Sequence, residues 1–301
     1  PYTADQLDYD HVINELRQRW KQSKDKELKL RYGYQLVRFA HYTRHYEEAV
    51  AFFDEYVSSL AYKPAMYYHA LSQAAGAERG LGNTEVAIWN FFHVFIHSRD
   101  LKTSALSSIT FEENIDFNSF FDTAKTQNEI NNIYLLLGYY SYSNPLNEVE
   151  KIVESSPDAI QAKVLVARAI NQIERNLMPV YYWGNPDLES ENNHKRYPLL
   201  SNEKINDFLN QAVDLVDRMT LSTSVTDKNF WYITSSYLNL LKKDFEKAQQ
   251  MLDQVTPASQ LYIQQKQNLA MYIDVCKQPR ISPEVETDFY RKYPEVLKPH
   301  F

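Results

Sequence analysis

The sequence predicts an all-α fold, and three observations support this prediction. Only 6 glycines occur in 301 residues, whereas many-turned β folds need glycine wherever the backbone bends sharply. Four residues of the types that cap helices each precede a proline, and proline is favoured at the first position of a helix. No segment shows an alternation of apolar and polar residues, typical of a half-buried strand, of comparable quality. A short pattern built around one alanine also recurs three times at helical spacing.

The helix starts are indicated by the pairs Asn144-Pro145, Ser156-Pro157, Thr256-Pro257 and Ser282-Pro283. Between the starts, apolar residues recur with a period of about 3.6 residues. Residues 99–127 mix polar residues with phenylalanines and predict short helical turns. The longer helices are predicted over residues 7–22, 26–43, 46–60, 64–80, 84–98, 128–142, 145–155, 157–177, 202–219, 227–242, 244–254, 257–276 and 283–292.

The recurring pattern starts with a polar turn, continues with an alanine, and has larger apolar residues four and seven positions later. Its three copies are RHYEEAVAFFDEYV, GNTEVAIWNFFHVF and KDFEKAQQMLDQV, centred on Ala49, Ala87 and Ala248. At 3.6 residues per turn these positions share one helix face, so each copy predicts a helix that presents a small residue between larger ones. The larger residues are Phe53 and Tyr56, Phe91 and Val94, and Leu252 and Val255.

This pattern resembles the second helix of a tetratricopeptide repeat, in which a small residue lets two antiparallel helices approach. The resemblance implies an α-solenoid, a right-handed superhelix of antiparallel helix pairs, formed as a single domain over residues 1–301. The sequence departs from the family pattern where Val37 replaces the usual glycine of the first helix and where Val149 replaces the small alanine of a third unit. The repeats are therefore degenerate.

The resemblance also implies a function. Tetratricopeptide proteins are non-enzymatic scaffolds that bind a protein or peptide segment in a concave groove lined by the first helices of the repeats. On this basis the expected partner is such a segment, and the expected binding residues are Tyr34, Arg38, Tyr42, Tyr68, Ser72 and Arg79.

A long irregular insertion is predicted at about residues 178–201, because this segment is longer than an ordinary helix connection. Its aromatic and basic residues have the composition of a contact surface for protein or glycan, although the rings could instead pin the insertion onto the helices. These residues are Tyr181, Tyr182, Trp183, Arg196 and Tyr197.

Two further functional hypotheses follow from other classes of protein. Helical scaffolds with aromatic insertions resemble the sugar-binding lipoproteins of bacterial outer membranes, so a cell-envelope glycan-binding or nutrient-uptake component is the alternative to a scaffold. A helical-toroid enzyme would need carboxylates that converge on a pocket. The sequence identifies no such pair and no catalytic residue.

No cofactor or metal site is expected. His41 with His45 and His93 with His97 have the i, i+4 spacing of zinc ligands on a helix, but no HExxH motif is present and the two pairs belong to opposite helix ends of the repeats. Cys276 is the only cysteine and follows an apolar residue, so the sequence predicts a small buried side chain there.

Charge and hydropathy limit the partners. A net charge of -7 and a pI near 5.7 do not favour nucleic acid, whose binding requires concentrated positive charge. No apolar run approaches the roughly 20 residues that span a bilayer. The chain starts with Pro1, so we expect a processed form or part of a longer protein, either in the bacterial cell envelope after loss of a signal or anchor, or in the cytoplasm.

Overall fold

The computed structural model describes residues 8–109, 116–140, 144–177, 200–256 and 259–297. Within these ranges the chain forms 16 α-helices and no strand, which confirms the all-α prediction. The chain divides into two compact units, residues 1–124 and 125–301. The superhelix and the single domain stay predictions.

The described residues of the first unit form seven α-helices, and α3 continues into a π-helical segment at Asp54–Ser58. Three-residue turns join α2 to α3 and α4 to α5, and each of these pairs packs together, as antiparallel neighbours do. Helix α4 also packs on α2 and α3. The helices are α1 (Tyr9–Gln22), α2 (Lys26–Tyr42), α3 (Tyr46–Phe53), α4 (Ala65–Gly80), α5 (Thr84–His97), α6 (Lys102–Ser108) and α7 (Ser119–Thr123).

The second unit follows the same plan of sequential helices. Helices α8, α9 and α10 pack on one another, and α12 packs on α11, α13 and α14. Trp231 of α12 is fully buried. The helices are α8 (Gln127–Tyr140), α9 (Leu146–Ser155), α10 (Ile160–Leu177), α11 (Asn202–Leu221), α12 (Lys228–Leu241), α13 (Phe245–Asp253), α14 (Gln260–Lys277), α15 (Pro283–Lys292) and α16 (Pro294–Leu297).

The three copies of the recurring pattern start from turns with the same backbone geometry. Arg44, Gly82 and Lys243, each five residues before the pattern alanine, have φ angles of 63°, 86° and 64°. The next residue donates its amide to the carbonyl five positions back, as a helix that ends in a left-handed residue does. These bonds are His45 to Ala40, Asn83 to Glu78 and Asp244 to Asn239, each 2.9 Å long.

The predicted apolar face of the pattern is buried in all three copies. Ala49, Ala87 and Ala248 each have 0% of their surface exposed. The larger residues at positions four and seven are buried as well: Phe53, Tyr56, Phe91, Val94, Leu252 and Val255. Helical periodicity therefore identified the packing face of α3, α5 and α13 correctly.

The predicted helix starts agree with the structure in part. Ser282 caps α15 with its hydroxyl, with proline at the next position, as expected. The start predicted at Pro157 is wrong, since α10 begins at Ile160. Here the carboxylate of Asp158 accepts hydrogen bonds from the backbone and hydroxyl of Thr226, so this tertiary contact occupies the residues before the helix.

The prediction that Cys276 is buried is also wrong, because its thiol is exposed. The buried residues of α14 are Leu269 and Ile273. Cys276 lies three positions after Ile273, at the last turn of the helix, where that face has passed beyond the neighbouring core.

Candidate binding surface on the first unit

Helix α2 carries a row of exposed side chains on the face opposite to its core. Leu30, Leu36 and Ala40 are among the residues that α2 buries against its neighbours. The exposed row follows the helical spacing i, i+4, i+7 and i+11, so its members lie along one side of the helix. It consists of Arg31, Gln35, Arg38 and Tyr42.

Two of the expected binding residues meet within this row. The guanidinium carbon of Arg38 lies 5.5 Å from the ring centroid of Tyr42, within the range of a cation–π contact. The side chain of Tyr42 is 61% exposed. A large aromatic ring held beside a cation and open to solvent is a typical component of a protein contact surface.

Beside this row, polar and aromatic contacts connect α2 to α4. Tyr34 packs edge-on against His69, with ring centroids 6.1 Å apart. Nδ1 of His41 forms a 2.8 Å hydrogen bond with Oε1 of Gln73. The two helices therefore meet along a line of contacts, here called the seam, which includes Tyr34 with His69 and His41 with Gln73.

Gly76 of α4 allows the two helices to approach at this seam. A Cβ atom at this position would lie 2.7 Å from Cε1 and Nε2 of the His41 ring, closer than van der Waals contact permits. The backbone of α4 therefore packs directly on an imidazole of α2.

The remaining expected residues of α4 have other contacts. Tyr68 stacks on His97 of α5 with ring centroids 5.4 Å apart, and burial raises the pKa of its phenol. Arg79 lies with its guanidinium carbon 5.1 Å from the Phe91 ring centroid and donates a hydrogen bond to the carbonyl of Ser108. Arg79 thus connects α4 to α5 and to the end of α6, whereas Ser72 is half-buried on α4.

We define the α2–α4 face as the exposed row of α2 together with Tyr34 and His69. Sequence reasoning identified Tyr34, Arg38 and Tyr42 of this set and missed Arg31, Gln35 and His69. The two missed residues of α2 have the same spacing as Arg38 and Tyr42, so periodicity alone could have found them. His69 required knowledge of which face of α4 meets α2.

The aromatic and basic residues expected in the insertion lie outside the described part of the chain. They are Tyr181, Tyr182, Trp183, Arg196 and Tyr197. The flanking boundaries are as predicted, since α10 ends at Leu177 and α11 begins at Asn202. The glycan hypothesis, which depends on these residues, stays a prediction.

The second unit contains a charged cluster that ties three helices together. The carboxylate of Asp227 accepts hydrogen bonds from Nζ of Lys163, at 3.0 Å, and from the hydroxyl of Tyr262, at 2.9 Å. Burial and the hydrogen bond to Asp227 raise the pKa of Tyr262 to about 12. The donors and acceptors of this cluster satisfy one another, and they connect α10, the start of α12 and α14.

A second cluster contains a serine beside a carboxylate and an amine, a combination found in nucleophilic catalysis. The hydroxyl of Ser235 donates to Asp217 at 2.6 Å, and Nζ of Lys247 also donates to Asp217. Ser235 is fully buried. Because of this burial, a substrate could not reach its hydroxyl in this conformation. The hydrogen bonds of the cluster instead join α11, α12 and α13.

The two histidine pairs take part in ring contacts. His45 stacks on Tyr9 with ring centroids 3.7 Å apart, and the rings of His93 and His97 are parallel at 6.0 Å. Among the described residues, no group of three or more His, Cys, Asp or Glu side chains could hold a metal ion.

None of the described helices combines the length and the apolar character that a bilayer span requires. No family model, no curated protein and no solved structure matches this chain.

Proposed function

We propose that this chain is a non-enzymatic scaffold that binds a protein or peptide segment on the α2–α4 face. The observation that carries the proposal is the exposed row of α2, in which Tyr42 is 61% exposed beside the guanidinium of Arg38. The opposite sides of α2 and α4 are buried against α1, α3 and α5. Their outward sides are thus free, within the described ranges, to contact another molecule.

The chemistry of the face suits a peptide. Tyrosine rings supply rigid contact area at low entropic cost, and arginine supplies forked hydrogen-bond donors. Gln35 can donate and accept, so it can pair with the amide groups of an extended backbone. Such groups on a helical scaffold favour recognition of a segment over chemical conversion of a small substrate.

The proposal is tested by selecting random peptides displayed on phage against the immobilised chain. Selected peptides are synthesised, and their dissociation constants are measured for the wild type and for the Gln35→Ala/Tyr42→Ala variant. Both side chains are exposed, so this variant is expected to fold normally. We expect its binding to weaken about tenfold or more, as loss of an interface anchor does.

Tyr62→Ala is the matched control, because Tyr62 is 79% exposed in the turn before α4 and lies outside the face. This control should bind the selected peptides as tightly as the wild type does. Equal loss in both variants, no loss in either, or a selection that recovers no binding peptide would overturn the proposal.

A further inference from the structure

The helices that form the α2–α4 face lack carboxylates over long stretches. Residues 28–46 contain no Asp or Glu, and neither do residues 56–77. The whole chain carries 39 acidic residues in 301 and a net charge of -7, so this depletion contrasts with the rest of the molecule. The same stretches contain Lys29, Arg31, Arg38, Arg44 and Lys63.

The cations of the face also lack carboxylate partners within the chain. The ion pairs between described residues lie in α1 and in the second unit, for example Arg19 with Glu15 and Lys163 with Asp227. Arg31 and Arg38 form no ion pair with any described residue. These two guanidinium groups are exposed seven positions apart on one side of α2, within a stretch that contains no carboxylate.

We infer that the segment bound by the α2–α4 face is an acidic segment of a partner protein. This inference rests on the proposed function and adds the chemistry of the ligand. Carboxylates of the segment accept forked hydrogen bonds from Arg31 and Arg38, and its apolar groups lie against Tyr42. The absence of Asp and Glu from residues 28–46 and 56–77 reduces the repulsion that an acidic ligand would otherwise meet.

A protein segment fits these observations better than nucleic acid does. A nucleic-acid site requires a run of cations that follows a phosphate backbone, together with aromatic platforms for several bases. The exposed row offers two guanidinium groups and one open ring. It matches a short run of carboxylates interspersed with apolar side chains.

The test uses two synthetic peptides derived from one selected binder, which differ only at its polar positions. One peptide has Asp and Glu at these positions, and the other has Asn and Gln. We expect the acidic peptide to bind at least tenfold more tightly to the full chain, and its affinity to fall several-fold when salt is raised from about 50 mM to about 500 mM, as screened charge contacts do. A single-stranded DNA oligonucleotide is the third probe.

The variant Arg31→Gln/Arg38→Gln should abolish the preference for the acidic peptide. The control Lys21→Gln/Arg99→Gln removes the same charge from exposed positions outside the face and should retain the preference. If both peptides bind equally and the binding requires Tyr42, the acidic inference fails while the proposed function stands. If neither peptide binds at the face, both fail, and if the oligonucleotide binds as tightly as the acidic peptide, the choice of a protein partner is overturned.

Discussion

Gly76 shows how a single residue affects the packing of α4 on α2 beside the α2–α4 face. The His41 ring that a Cβ at this position would meet is held by its hydrogen bond to Gln73. A shift of the ring to make room for a Cβ would strain this bond. The absence of a side chain at position 76 thus leaves room for the His41 ring against the backbone of α4.

We expect Gly76→Ala to destabilise the protein by about 1–2 kcal/mol. Overpacking typically costs about 1–3 kcal/mol, and the better helix propensity of alanine returns up to about 1 kcal/mol. The measurement is urea-induced unfolding followed by circular dichroism. Ser72→Ala, one turn earlier on the same helix, is the control and should stay within about 0.5 kcal/mol of the wild type. A stabilising effect of Gly76→Ala would contradict the close approach.

At the scale of the elements, the main feature is the turn shared by three helix pairs. Arg44, Gly82 and Lys243 occupy the same left-handed conformation, with the same hydrogen bond closing each turn. Only one of the three is glycine. For other residues this conformation costs roughly 1–2 kcal/mol, so two of the turns contain strain that the packing of their helices sustains.

Lys243→Gly is therefore expected to raise the free energy of unfolding by about 1 kcal/mol, because glycine adopts φ of 64° without a steric penalty. The neighbouring Lys242→Gly serves as the matched control. Lys242 has φ of -73°, where glycine gains nothing and lowers stability by roughly 0.5–1 kcal/mol. Thermal unfolding of the two variants separates the effects, and a loss of stability in both would refute the account of this turn.

Short-range sequence patterns predicted the helices better than they predicted the contacts between helices. The apolar period placed Ala49, Ala87 and Ala248 on buried faces, and the hydroxyl of Ser282 caps its helix as its sequence indicated. These features depend on neighbours within a few residues. The left-handed backbone of Lys243 was not predictable, since lysine does not favour it.

The candidate site was predictable only in part for the same reason. The exposed row of α2 follows from helical spacing, but its seam with α4 depends on pairs such as His41 with Gln73, which are 32 residues apart. The displaced start of α10 has a similar cause, because Asp158 pairs with Thr226, 68 residues away. Single-sequence patterns contain no information on which distant residues meet.

At the scale of the whole molecule, lowered carboxyl pKa values are a feature of the second unit. Among the described residues, they belong to Asp158, Asp227, Asp274 and Glu284. For the three aspartates, burial opposes ionisation, but hydrogen bonds and nearby lysines outweigh it and lower the pKa. A lowered pKa in the folded state means that these groups stabilise the fold when they are ionised.

The free energy of unfolding should therefore fall in acid, because the aspartates of the second unit become protonated. The contribution of these aspartates is complete above the unfolded pKa of about 3.9 and disappears as the pH falls through their lower folded values. Urea midpoints measured at several pH values between about 6 and 2 should fall steeply for the wild type and less steeply for Asp158→Asn. Asp207→Asn, an exposed carboxyl of α11, is the control and should retain the wild-type slope. Identical slopes for all three proteins would exclude Asp158 as a source of the acid sensitivity.

The most direct test of the account asks where a bound peptide lies on the molecule. A photoreactive benzoylphenylalanine is placed at Tyr42 in one variant and at Tyr62 in another, and each is irradiated with a labelled acidic peptide from the selection. Both positions are exposed tyrosines of the first unit, so both are accessible to a peptide and the comparison tests location. We expect a covalent adduct from position 42, competed by unlabelled peptide, and none from position 62. An adduct from position 62 alone, or equal uncompeted adducts from both, would contradict the assignment of the α2–α4 face as the binding surface.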